Sequence, residues 1–103
     1  MKVVLRNRFF RDQTEYCSAY LSVSETLGVR FEAEVSAAIE VIVERPTSAG
    51  HPIPIISKSG QTVRRRNLRI FPFFILYIVH KDRIVLSRLC ALRSDPKAWA
   101  KGL

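Results

Sequence analysis

The sequence predicts an α+β domain of order β-α-α-β-β-β, an antiparallel sheet of about four strands with an N-terminal helical hairpin packed on one face. Three observations carry this. Phe31, Val35, Ala38, Ile39 and Ile42 recur at helical spacing and form one amphipathic stripe. The apolar runs 73–80 and 83–91 are separated only by Lys81-Asp82, which demands an antiparallel hairpin. Pro46-Thr47-Ser48-Ala49-Gly50 divides the helical half from the strand half, because proline cannot continue a helix and the residues after it favour a turn.

Residues 2–6 are apolar and basic and suit an edge strand. Helical periodicity begins near Phe9, with Asn7 available as N-cap. Phe10, Thr14, Cys17 and Leu21 fall on one stripe, which Tyr16 and Tyr20 widen. Ser24 is placed to cap a second helix, which carries the Phe31–Ile42 stripe, with Glu32, Glu34, Glu40 and Glu44 mostly off it. Residues 51–62 contain Pro52, Pro54 and Gly60 and read as an irregular loop, with a short extended piece at 53–56. Strands follow at about 63–69, 73–80 and 83–91. The middle run is apolar on both faces and belongs at the centre of the sheet. The core is expected where Phe31, Val35 and Ile39 meet Phe73, Ile75 or Tyr77.

The 103 residues suit one domain, 1–103, with one core. With 48% hydrophobic and 25% charged residues the chain is that of a folded protein. Its formal charge of +8 is segregated: residues 1–50 balance to −1 and residues 51–103 to +9. Such a distribution suits nucleic acid, an anionic membrane or an acidic protein as partner. The longest apolar run, broken by Pro72, is half of the ~20 residues that a membrane span needs. The first residues lack the apolar core of a signal peptide, so a cytoplasmic location is expected and no membrane partner. Cys17 and Cys90 lie among apolar residues without metal or redox spacing and read as reduced thiols.

Arg64, Arg65, Arg66 and Arg69 crowd one strand, and Arg93, Lys97 and Lys101 gather in the tail. Alternation on a strand puts Arg64 and Arg66 on one face and Arg65 on the other, so the four cannot form a single patch. Some of them serve only to solubilise an edge. Trp99 is set either to touch a target or, preferably, to pin the tail. His51 and His80 lack carboxylate or cysteine partners at useful spacing and read as exposed and non-catalytic. Glu40 and Glu44 read as a solvated helix face. Phosphate-cradling glycine loops, the zinc-protease helix and the nucleophile elbow are all absent, so neither cofactor nor metal is expected.

Taken in order, these pieces resemble the RelE/ParE toxin superfamily of bacterial type II toxin–antitoxin modules. Two helices end in Pro46-Thr47-Ser48-Ala49-Gly50, the arginine pair Arg65-Arg66 precedes Phe71-Pro72-Phe73, and Ile75-Leu76-Tyr77 continues that strand. A hairpin then leads to the Arg93-Ser94-Asp95-Pro96-Lys97-Ala98-Trp99 tail. Two positions depart from the family pattern: Ala91 stands where a His is frequent, and Phe73 replaces the Tyr of Phe-Pro-Tyr. Members that cleave mRNA need a base for the ribose hydroxyl and cations for the phosphate. This chain has no His or Tyr after His80.

The resemblance therefore implies the ParE-like branch, whose members act on DNA gyrase by binding, with no catalytic residue assigned here. Arg64, Arg65, Arg66, Arg69, Arg93, Lys97 and Trp99 are the candidate contacts for target or antitoxin. A ribosome-dependent mRNA endoribonuclease of the RelE type is the alternative, and a non-toxic partner-binding domain a second. The implied partner is an acidic antitoxin that folds as it docks, and the implied assembly is a homodimer or a heterotetramer with the antitoxin.

Overall fold

The run Phe73-Phe74-Ile75-Leu76-Tyr77-Ile78-Val79 has no polar side, so it needs cover on both faces, and the rest of the chain supplies it. In the computed structural model, which describes residues 1–103, this run is strand β4 (Phe73–Val79) of a five-stranded mixed sheet. The other strands are β1 (Lys2–Leu5), β2 (His51–Ile56), β3 (Thr62–Asn67) and β5 (Arg83–Ala91), in the order β1-β5-β4-β3-β2. All neighbours are antiparallel except β1, which lies parallel to β5. The sheet thus gains a strand over the expected four. Pro52 and Pro54 read as loop, yet the segment pairs with β3 as an edge strand, the one place in a sheet that tolerates missing N–H donors. Its register is irregular between Pro52 and Ile56.

One face of the sheet carries α1 (Asn7–Val23) and α2 (Glu25–Glu44), joined through the single extended residue Ser24. Ser24 accepts a hydrogen bond from the Leu27 N–H at 3.4 Å, so it caps α2 as its sequence position implies. The antiparallel helices approach closely at Gly28, where a Cβ would lie 2.2 Å from Leu21 Cδ2. Phe31, Val35, Ala38 and Ile42 of α2 are buried against Phe73, Ile75 and Tyr77 of β4. Aromatic rings fill the centre: Tyr16–Phe73, Tyr20–Phe31 and Phe31–Phe73 centroids are 4.5, 5.2 and 5.3 Å apart.

The opposite face of β4 packs Phe74, Leu76 and Ile78 with Val63, Cys90, Trp99 and Leu103. Here the tail folds into a short helix, α3 (Pro96–Ala100). Asp95 caps it by accepting from the Lys97 N–H at 2.9 Å, and Pro96 occupies the first turn, where no N–H is needed.

Three expectations for the helices are corrected. Asn7 is the first helical residue and not the cap; the cap position falls to Arg6, whose N–H still donates to Leu86 O at 3.1 Å as a continuation of the β1–β5 pairing. The inward stripe of α1 is Phe9, Asp12, Tyr16 and Tyr20, one position off the Phe10–Thr14–Leu21 line, and Phe10 is 63% exposed. Ile39 is only half-buried at the margin of the core.

The rotation of α1 has a cause. Tyr77 pairs with Leu86 and Leu76 with Arg88, so Ser87 is an extra residue in β5, a β-bulge. At this point β1 has ended and the outer edge of β5 has lost its strand neighbour. Asp12, 5% exposed, fills the gap: its carboxylate accepts from the Leu89 N–H at 3.0 Å and from Arg88 Nε at 2.8 Å. Removing one partner of a buried ion pair leaves the other charge uncompensated. Asp12→Ala should therefore cost about 3–5 kcal/mol in a urea-denaturation measurement. Phe31→Ala should cost about 3–5 kcal/mol by cavity formation, and half-buried Ile39→Ala should fall at or below about 2 kcal/mol.

Candidate partner-binding surface

The Pro46–Gly50 turn that ends α2 leaves a row of backbone carbonyls facing the sheet, and three side chains on β3 and β4 satisfy them. Tyr77 Oη donates to Pro46 O at 2.7 Å. Arg64 donates to Thr47 O at 2.9 Å and Gly50 O at 3.1 Å, and Arg66 donates to Ala49 O at 2.7 Å. Gly50 is required by this closeness, since a Cβ there would lie 2.6 Å from Tyr77 Oη and 2.8 Å from Arg65 O. Arg64 pairs with Tyr77 and Arg66 with Ile75, both on the helix side of the sheet. These two candidate contact residues are thus anchors of the turn.

Arg65 pairs with Leu76 on the other face. Its guanidinium sits 3.8 Å from the centroid of the Phe74 ring, and its Nε donates to Asn67 Oδ1 at 2.8 Å. Arg69, expected on a strand, falls beyond the end of β3 in an exposed turn. Arg93 and Lys97 are exposed, and Lys97 stands on α3, across the sheet from Arg64 and Arg66. Trp99 is 7% exposed and meets Phe74 edge-on at 5.6 Å, so it pins the tail and its ring is withheld from a partner. His51 is exposed opposite Arg65, whereas His80 is half-buried and joined to Gln61 Nε2 at 2.8 Å through Nδ1.

A groove of about 1060 Å³ runs between α2 and the β3 edge. Ala33, Ala37 and Val41 of α2 give it an apolar wall, and Arg30, Arg66 and Arg69 line it with cations, while the Arg65 guanidinium is turned to the other face over Phe74. Glu34 holds one end by accepting from the Ile70 and Phe71 N–H groups at 2.5 and 3.1 Å. The Arg66 Nε is buried without a hydrogen-bond partner. Arg30 and the alanine wall were not among the candidate residues. The recurrence of Ala33, Ala37 and Val41 at a spacing of four, off the core stripe, is the signal that could have found them.

This surface offers guanidinium groups and apolar walls but buries its phenols. Burial pushes the Tyr77 hydroxyl above its ordinary range, and Tyr16, in the aromatic centre, is raised for the same reason. Behind Phe74, Cys90 is 2% exposed and burial pushes its thiol from 9.0 up to about 12. The folded state therefore favours the protonated thiol. Its contribution to stability is complete below pH 9 and is lost as pH rises toward 12. Denaturant titrations should show the parent losing stability over this interval faster than Cys90→Ala, and native protein at pH 8 should resist thiol reagents at Cys90 until it is unfolded.

Neither a family model nor a curated protein sequence matches the chain. Among solved structures it is similar to one described as "Chromosomal ParDE TA system from P. aeruginosa", with a TM-score of 0.66 and 16% identity. The match covers 90% of this chain and 97% of that one. The likeness is one of fold.

Proposed function

We propose that the chain is the toxin of a type II toxin–antitoxin module of the ParE-like branch, acting on DNA gyrase by binding and neutralised by an acidic antitoxin. The groove between α2 and β3 carries this reading. Its alanine wall admits a close-packed apolar segment, and Arg30, Arg66 and Arg69 favour one that is also acidic. The fold likeness to a ParDE system supports the same partner. The burial of Tyr77 and the absence of His or Tyr in the tail favour a binding toxin over a nuclease.

Expression without the antitoxin should arrest growth with filamentation, and purified protein should block supercoiling by gyrase. Co-expression of the adjacent acidic reading frame should restore growth and yield a complex. Ala37→Glu sits on the exposed wall of the groove, so it should leave the fold intact while weakening antitoxin binding at least about tenfold through like-charge repulsion. Unchanged affinity of that variant would sink the groove assignment. Unimpaired gyrase with translation halted would sink the target.

A ribosome-dependent endoribonuclease is the second reading, and one observation favours it: His51 lies directly across from Arg65, an imidazole beside a cation. Primer extension on translating mRNA separates the two, since cleavage in codon register belongs only to the nuclease. A chain without effect on growth at high expression would leave a partner-binding domain.

A further inference from the structure

At the β1–β5 edge, away from the groove, the α1 N-terminus, the β5 bulge and the tail enclose a second cavity of about 310 Å³. Arg6, Arg8, Arg88 and Lys101 line it, an unusual density of cations for so small a space. The carboxylate of Asp12 is already taken up by Arg88 Nε at 2.8 Å, by the Leu89 N–H and by Arg8 Nε at 3.5 Å. Arg6 has one bond, from Nη1 to Gly102 O at 3.1 Å, and Lys101 is exposed. Positive charge is left in excess.

A separate observation points to a ligand. Ser87, the bulge residue, is 1% exposed and lines this cavity, yet its Oγ has no hydrogen-bond partner. A buried hydroxyl without a partner is costly unless something takes up its bond. The 17-residue helix α1 begins here with no side-chain cap, so its first-turn N–H groups add partial positive charge.

We propose that Arg6, Arg8, Ser87, Arg88 and Lys101 form a binding site for a single phosphoryl group, whether of a free nucleotide or of a nucleic-acid backbone. The arginines bind phosphate oxygens by charge-assisted hydrogen bonds, the Ser87 hydroxyl donates a further one, and Lys101 closes the open side. The site stands apart from the proposed antitoxin groove and does not depend on it, because β4 and β5 separate the two cavities along the sheet.

Titration of the full chain with inorganic phosphate at constant ionic strength, followed by amide NMR shifts, tests the site. Saturable shifts at Arg8, Ser87 and Lys101 are expected. Ser87→Ala should weaken binding by about fivefold and Arg6→Gln by about tenfold. Lys101→Gln, an exposed change that cannot disturb folding, should weaken it as well. Shifts reproduced by chloride at equal ionic strength, or all three variants binding like the parent, would overturn the proposal. Tighter binding of adenosine monophosphate than of inorganic phosphate would assign the site to a free nucleotide. Displacement of phosphate by a short DNA oligonucleotide, with the same amides perturbed, would assign it to a nucleic-acid backbone.

Discussion

A buried carboxylate at the point where β1 runs out sets the geometry of the helical layer. β5 is longer than β1, so its outer edge has strand pairing as far as Leu86 and none beyond. Asp12 accepts the Leu89 N–H from across the layer and binds Arg88 in the same contact. For that to happen α1 must present Asp12, and with it Phe9, Tyr16 and Tyr20, toward the sheet. Phe10 and Leu21 are turned outward as a result. One polar contact therefore overrides the preference of two large apolar side chains, because a buried backbone donor and a buried guanidinium are costlier to leave unpaired than two hydrophobes are to leave wet.

The arginine-rich strand illustrates how charge can serve structure. Arg64 and Arg66 bind carbonyls of the turn that ends α2, and Tyr77 completes the set. Those carbonyls belong to the turn that follows the helix C-cap Arg45. The sheet holds α2 by its end, and the groove beside the helix inherits its width from that attachment. Arg65 and Arg69 have no such duty toward the turn: Arg65 lies over Phe74 on the other face, and Arg69 stands exposed beyond the end of β3 beside the groove.

The order of elements was legible in the sequence because α2 and the β4–β5 hairpin have strong, unmixed periods. The alternation of Arg64 and Arg66 against Arg65 was legible too, from the twofold period of a strand alone. What those arginines touch was not, since backbone carbonyls leave no mark in a sequence. β2 was hidden by its own prolines, which signal a loop and an edge strand alike. The alanine wall of the groove escaped notice because alanine is neutral to a hydropathy pattern, and Asp12 because a polar residue on a helix is ordinarily assigned to solvent. The missing information lay in tertiary contacts: a bulge, a short edge strand and a turn.

Both borders of the sheet are poor templates. β1 has only four residues, and β2 lacks two amide donors at Pro52 and Pro54. A sheet so bordered resists stacking onto copies of itself, even at high local concentration. The same borders give a docking segment little main-chain pairing to exploit, so discrimination must fall on side chains seated in a groove. Recognition of that kind can be retuned one residue at a time without any change of architecture.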